Sequence, residues 1–184
     1  AKDTTTTMSI VVDPLDHDAT LSCPSEAYTD EDTPLFVNFT SIVDTDASEK
    51  GVTVLNVSVQ SGLLTFSPRA GVKVQEDGAV YTLTGTVALL SDNLEKGFYF
   101  HPLENFNSKR SGTNGLLQFS AAISDNSFVT CYTTISVAPV NDSPSVTLES
   151  IRTKVQEDVP KAALGIDILD VDANDFHETI MEVN

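Results

Sequence analysis

Apolar and polar residues alternate over several short stretches of this chain. Val129, Cys131, Thr133, Ile135 and Val137 form one such series; Leu117, Phe119, Ala121 and Ile123 form another; Tyr81, Leu83, Gly85 and Val87 form a third. A period of two sends one set of side chains to one face of a strand, so each series predicts a half-buried β-strand. In Val52–Val59 the apolar phase slips at Leu55, which predicts a bulge. Turn-forming residues separate the runs at Gln60-Ser61-Gly62, Glu76-Asp77-Gly78 and Thr113-Asn114-Gly115. One stretch, Val87 to Lys96, suits a short helical turn, and nothing longer reads as helix. About seven short strands broken by turns point to an all-β fold, an antiparallel β-sandwich.

The pattern repeats. Residues 29–58 slide without a gap onto 155–184 at an offset of 126, with 9 identities in 30 positions. Glu31-Asp32-x-Pro34 falls on Glu157-Asp158-x-Pro160, and Ile42-x-Asp44-x-Asp46 falls on Ile168-x-Asp170-x-Asp172. Thr6-Thr7-Met8-Ser9-Ile10 likewise matches Thr133-Thr134-Ile135-Ser136-Val137. A period of about 126 residues is too long for a solenoid unit and suits tandem domains. The chain then divides into residues 1–15, the last strand of a preceding repeat; 16–141, a complete repeat; and 142–184, the first part of a following one. The partial ends reflect either where the chain is cut or completion by another chain, since strand donation is one way to build fibres.

Charge narrows the function. The 184 residues carry 10 Lys and Arg against 27 Asp and Glu, a formal net charge of −17. That excludes nucleic acid as a partner and disfavours anionic membrane surfaces, which both attract clustered cations. No apolar run approaches the roughly 18 residues of a spanning helix, so direct membrane insertion is not expected. Residues 142–184 hold 10 acids and 3 bases, a denser concentration than the rest of the chain. No Gly-x-Ser-x-Gly elbow, His-Glu-x-x-His or phosphate loop occurs, and His17, His101 and His177 are scattered. An enzyme is not expected.

The acids fall in pairs. Asp44-x-Asp46 and Asp170-x-Asp172 each follow an apolar strand, where period two aims both carboxylates the same way. Such pairs either cap a turn or contribute to a hard-cation site, which needs six to eight oxygens. Further candidates, Asp16 and Asp18 at one joint and Asn141 and Asp142 at the other, lie between repeats.

These motifs resemble those of the cadherin-like repeats of large extracellular proteins. Val155-Gln156-Glu157-Asp158-Val159-Pro160, followed by Ile168-Leu169-Asp170-Val171-Asp172-Ala173, is similar to the opening of such a repeat. Ala138-Pro139-Val140-Asn141-Asp142-Ser143-Pro144 resembles the linker between repeats of large microbial surface proteins. Tyr81 to Val87, Asn93-Leu94, Tyr99-Phe100 and Asn105-Phe106-Asn107 resemble the repeat's middle. The resemblance implies an Ig-like, cadherin-like sandwich with calcium (Ca2+) between consecutive domains. By motif the complete joint would use Glu31, Asn141, Asp142, Asp170 and Asp172. Asp16, Asp18, Asp44 and Asp46 would serve the preceding joint, and Glu157 a following one. The linker departs from the full acidic cadherin pattern, and the domain's middle has no Asp-Arg-Glu triplet.

Cys23 and Cys131 fall in the same repeat and lack counterparts in the flanking ones, which favours a disulfide from first strand to last. Two buried free thiols are the alternative. Glycosylation sequons begin at Asn38, Asn56 and Asn141, the first two on outward strand positions. Together these readings predict a structural repeat on a cell surface or outside the cell, extending an adhesin or fibre through calcium-stiffened joints. Its partners would be neighbouring repeats or copies of itself. The alternatives are a filament subunit joined by strand donation, and a module binding glycans or another surface. The latter needs an exposed aromatic platform, whereas the chain has no Trp.

Overall fold

Strong alternation along the strands between residues 53 and 138 produces two facing sheets. In the computed structural model, residues 6–12, 17–38, 40–45, 51–123, 128–148, 156–158 and 166–173 are described. The strands and helices, in chain order, are β1 (Thr20–Ser22), β2 (Glu26–Asp30), β3 (Leu35–Val37), β4 (Ser41–Val43), β5 (Thr53–Gln60), β6 (Gly62–Thr65), β7 (Lys73–Asp77), β8 (Val80–Gly85), α1 (Val87–Lys96), β9 (Phe98–Pro102), α2 (Ser108–Ser111), β10 (Gly115–Ala122), β11 (Phe128–Ala138), β12 (Ser145–Leu148) and β13 (Ile166–Leu169). The larger sheet has the order β2-β11-β10-β5-β8-β7 and the smaller β3-β9-β6. Two further sheets are the pairs β1-β4 and β12-β13. The fold is an all-β sandwich.

The apolar series point inward as the alternation requires. Leu55, Leu83, Leu117, Phe119 and Ile135 from the large sheet are fully buried, as are Val37 and Phe100 from the small one. Phe98 of β9 bridges the sheets, with its ring centroid 6.2 Å from Phe119 and 4.6 Å from Phe66. The ring of Phe100 can lie against β6 because residue 62 is glycine; a Cβ there would stand 2.3 Å from the ring.

Three expectations change in detail. The slip at Leu55 is not a bulge: β5 pairs in unbroken register with β8 and β10, and Thr53, Leu55, Val57 and Val59 all face inward. Thr53 occupies the inward site normally given to an aliphatic residue, while Val52 and Val54 face away from the core. The helical turn at Val87 is a ten-residue helix, capped by Thr86 and ended by Gly97 at φ 85°. It buries Val87, Leu90, Asn93 and Leu94 and packs on β4. The sandwich is antiparallel except at β2 and β11, which pair parallel. Strands so far apart in sequence have no tight turn to force the antiparallel sense.

The strand pair β12-β13 is laid out like β1-β4. Leu21 pairs with Ile42 across β1-β4, and Val146 pairs with Ile168 across β12-β13. Leu21 and Ile42 are buried. Val146 and Ile168 are 61% and 37% exposed, without an equivalent cover among the described residues. Residues 6–12 pair with no strand among the described residues and expose Met8, Ile10, Val11 and Val12. No helix among the described residues is long and apolar enough to cross a membrane.

Candidate functional site

The joint after β11 is built around two buried carboxylates, one from each side. β11 ends at Ala138 and β12 starts at Ser145; the segment between opens with Pro139 and closes with Pro144. Proline fixes φ and disfavours helix in the preceding residue, so the connection stays extended. Its backbone N–H groups are therefore free of helical partners and available to side chains.

Glu31 supplies the first carboxylate. It follows β2, where its own N–H donates to the Ala138 carbonyl at 2.9 Å, extending the β2-β11 pairing into the joint. The next residue, Asp32, has a left-handed backbone with φ 56°, which turns the chain and leaves Glu31 pointing inward at 2% exposure. Its Oε1 accepts the Val140 N–H at 2.6 Å, and its Oε2 accepts the Asn107 side-chain amide at 3.0 Å.

Asp172 supplies the second, in the turn after β13, at 1% exposure. Its Oδ1 accepts from Arg110 Nη2 at 2.9 Å, and its Oδ2 accepts the Asp142 N–H. The Asp172 N–H donates to Asp170 Oδ1 at 3.0 Å, so the first acid of the pair shapes the turn that delivers the second.

The element reaching both carboxylates is α2, a helix of four residues that buries none of its side chains. Asn107 caps it, accepting the Arg110 N–H on Oδ1 at 2.7 Å. Ser108 Oγ accepts the Val137 N–H at 2.9 Å, fastening α2 to the edge of β11. Ahead of the helix, Asn105 has φ 55°, donates its N–H to Asp32 Oδ1 at 3.1 Å, and offers its carbonyl to Arg110 Nη1 at 3.2 Å. A carboxylate removed from water is costly unless it is hydrogen-bonded and its charge is compensated. Here Glu31 and Asp172 receive donors on every oxygen, one of them a full cation.

Glu31, Asp142, Asp170 and Asp172 thus meet in one network. Asn141 stands beside it, exposed, with its amide donating to the Asp142 carbonyl at 3.1 Å. Asp142 contributes its backbone N–H to that network. Of the acids expected at a preceding joint, Asp18 is exposed and Asp44 half-buried, while Asp16 and Asp46 lie outside the described residues. Glu157 is exposed, and its neighbour Asp158 adopts the left-handed conformation of Asp32, with φ 60°. Asn107 and Arg110 were absent from the expected site. Their signal was the Asn-x-x-Arg spacing of a capped turn, which carries no apolar period.

The arrangement does not fit calcium as it stands. Such an ion needs oxygens all round at about 2.3–2.6 Å. The groups facing Glu31 and Asp172 are N–H donors, whose hydrogens would point at the ion. No group of three or more His, Cys, Asp or Glu among the described residues is gathered to hold a metal.

Cys23 and Cys131 form a disulfide across a separation of 108 residues, with Cα atoms 6.1 Å apart. Asn38 is exposed just beyond β3. Asn56 faces outward on β5, half-buried, and its Oδ1 accepts from Thr82 Oγ1 at 2.9 Å. On the outer face of the small sheet, Phe36 and Tyr99 pack with ring centroids 5.1 Å apart, and His101 lies 6.2 Å beyond Tyr99.

No protein-family model matches the chain, and no curated protein matches it. Among solved structures, the chain is similar to a cohesin module from a family 33 glycoside hydrolase of Clostridium perfringens ATCC13124. The identity is 12% and the TM-score 0.35, over 67% of this chain and 97% of that one. So slight a likeness carries no functional argument. The similarity to cadherin-type repeats rests on sequence motifs.

Proposed function

We propose that the chain is a structural repeat of an extracellular or cell-surface protein, in which successive β-sandwiches are held end to end by closed joints and project as a rod. The observation that carries this reading is the joint itself. Glu31 of the complete repeat and Asp172 of the following segment are both buried and bind the same linker, at Val140 and Asp142. A tether meant to swing freely would leave these groups in water. The Cys23–Cys131 disulfide supports an oxidising compartment. The partners on this reading are neighbouring repeats or further copies of the chain.

Small-angle X-ray scattering of residues 1–184 tests the rod. A single extended, stiff monomer is the expected outcome, and Asp172→Ala should shorten the mean dimension as the joint loosens. A wild-type profile of two independently tumbling parts would overturn the reading. Growth of mass into fibres would move the function to assembly through the terminal segments.

A second reading, a module binding glycans or another surface, is favoured by the partly exposed Phe36, Tyr99 and His101 on the small sheet. Aromatic faces stack on sugar rings as they do on other apolar faces. Replacing Phe36 and Tyr99 by Ser should then remove retention on immobilised glycans, while the scattering profile stays unchanged.

A further inference from the structure

The acid pairs and the sequence resemblance imply a metal at the joint, yet the geometry supplies another cation. Arg110 belongs to the complete repeat, and Asp172 to the segment that follows. The guanidinium is not a loose surface arm. Nη1 is held by the carbonyl of Asn105, a residue itself fixed by Asp32, while Nη2 meets Asp172 Oδ1 at 2.9 Å. A fork spanning two acceptors is something Arg can do and a Lys ammonium on its flexible stem does poorly. A calcium ion on Asp172 would have to displace both this fork and the Asp142 N–H.

We propose that Arg110 is the resident cation of the joint, and that the joint closes without calcium. The proposal rests on the rod reading and specifies what makes the rod stiff. It makes the joint independent of ambient calcium and assigns to one side chain the charge compensation that a bound ion would provide. The buried carboxylate of Asp172 then needs no divalent ion to offset its charge. With Arg110 gone, that carboxylate would be left short of positive charge, and a divalent cation becomes the ready substitute.

The Asp142 amide, bonded to Asp172, is the natural probe. Hydrogen exchange at that amide is measured in the full chain with calcium chloride and with chelator, alongside calorimetric titration of calcium. The wild-type amide should be equally protected in both, without calorimetric binding at the joint. Arg110→Met should speed its exchange in chelator about ten-fold or more, the scale of a hydrogen bond to a charged group, and should gain calorimetric calcium binding that the wild type lacks. Arg110→Lys, which keeps the charge and loses the fork, should fall between. Wild-type protection that requires calcium overturns the proposal and leaves the joint standing. Unchanged exchange in Arg110→Met also overturns it, showing the backbone donors to suffice. An amide unprotected in the wild type under both conditions removes the joint, and the rod reading falls with it. The wild-type comparison decides even where a variant folds poorly.

Discussion

Asn107 and Arg110 lie three residues apart on one short helical turn and serve opposite sides of the joint: the Asn107 amide holds Glu31 at 3.0 Å, while Arg110 holds Asp172 at 2.9 Å. The Asn107 side chain also fixes the Arg110 backbone, accepting its N–H at 2.7 Å. One residue therefore sets both the cap of the turn and the donor to a buried carboxylate, and these two duties can be separated by substitution.

Asn107→Ala should destabilise the chain by about 2–3 kcal/mol, combining a lost cap with an unsatisfied buried carboxylate oxygen. Asn107→Asp keeps an equally good capping oxygen yet sets a second carboxylate against Glu31. It should be at least as damaging as the Ala variant. Urea denaturation of the three proteins decides the matter. An Asp variant as stable as the wild type would mean that the Glu31 contact adds nothing.

The disulfide closes a loop of 108 residues. In the chain-entropy model a loop of that order restricts the unfolded chain by roughly 4–5 kcal/mol. The double variant Cys23→Ser, Cys131→Ser should lose stability on that scale while keeping its strand content, as judged by far-ultraviolet circular dichroism. Reduction of the wild type should reproduce the loss. A reduced protein as stable as the oxidised one would show that the sandwich core alone sets the stability.

What the sequence made legible was whatever has a local period. Leu117-Phe119-Ala121 and Ile135-Val137 alternate, and they are core; the two Asp-x-Asp pairs are visible because they recur at the 126-residue offset, although Asp172 lies in a turn beyond β13 rather than on a strand. Pairing between β2 and β11 was not legible, because nothing local connects residues 26–30 with residues 134–138. Arg110 was invisible for a related reason. Its turn has no apolar face, and its acceptor, Asp172, lies 62 residues away. The acids at the joint were expected as ligands through a motif resemblance, whereas their environment, made of N–H groups, is set by tertiary structure.

Tyr28 gives a prediction in pH. Its hydroxyl donates to Glu26 Oε2 at 2.6 Å, and this hydrogen bond, followed by the charge of Glu26, raises the phenol above its usual value near 10. Raising that value favours the neutral phenol in the folded chain. The associated stabilisation is present below the unfolded value and lost as pH rises through the folded one. Glu26→Gln should shift the Tyr28 titration back down, read by ring-carbon magnetic resonance between pH 9 and 12. A midpoint indifferent to that substitution would show the contact to be transient in solution.

Thr53 is fully buried at an inward position of β5, opposite Gly85, and its hydroxyl has no hydrogen-bond partner among the described residues. Valine has nearly the same shape and the same preference for strands, so the substitution leaves the packing intact and removes a buried polar atom. An unsatisfied buried hydroxyl costs about 1–3 kcal/mol, so Thr53→Val should stabilise the chain by about 1 kcal/mol or more. Thr53→Ser, which keeps the hydroxyl and removes a methyl, should destabilise it. The pair of variants separates the polar cost from the packing gain in a single denaturation series. Were Val to destabilise, the Thr53 hydroxyl would have to be satisfied in solution, by water entering the sandwich between β5 and β8.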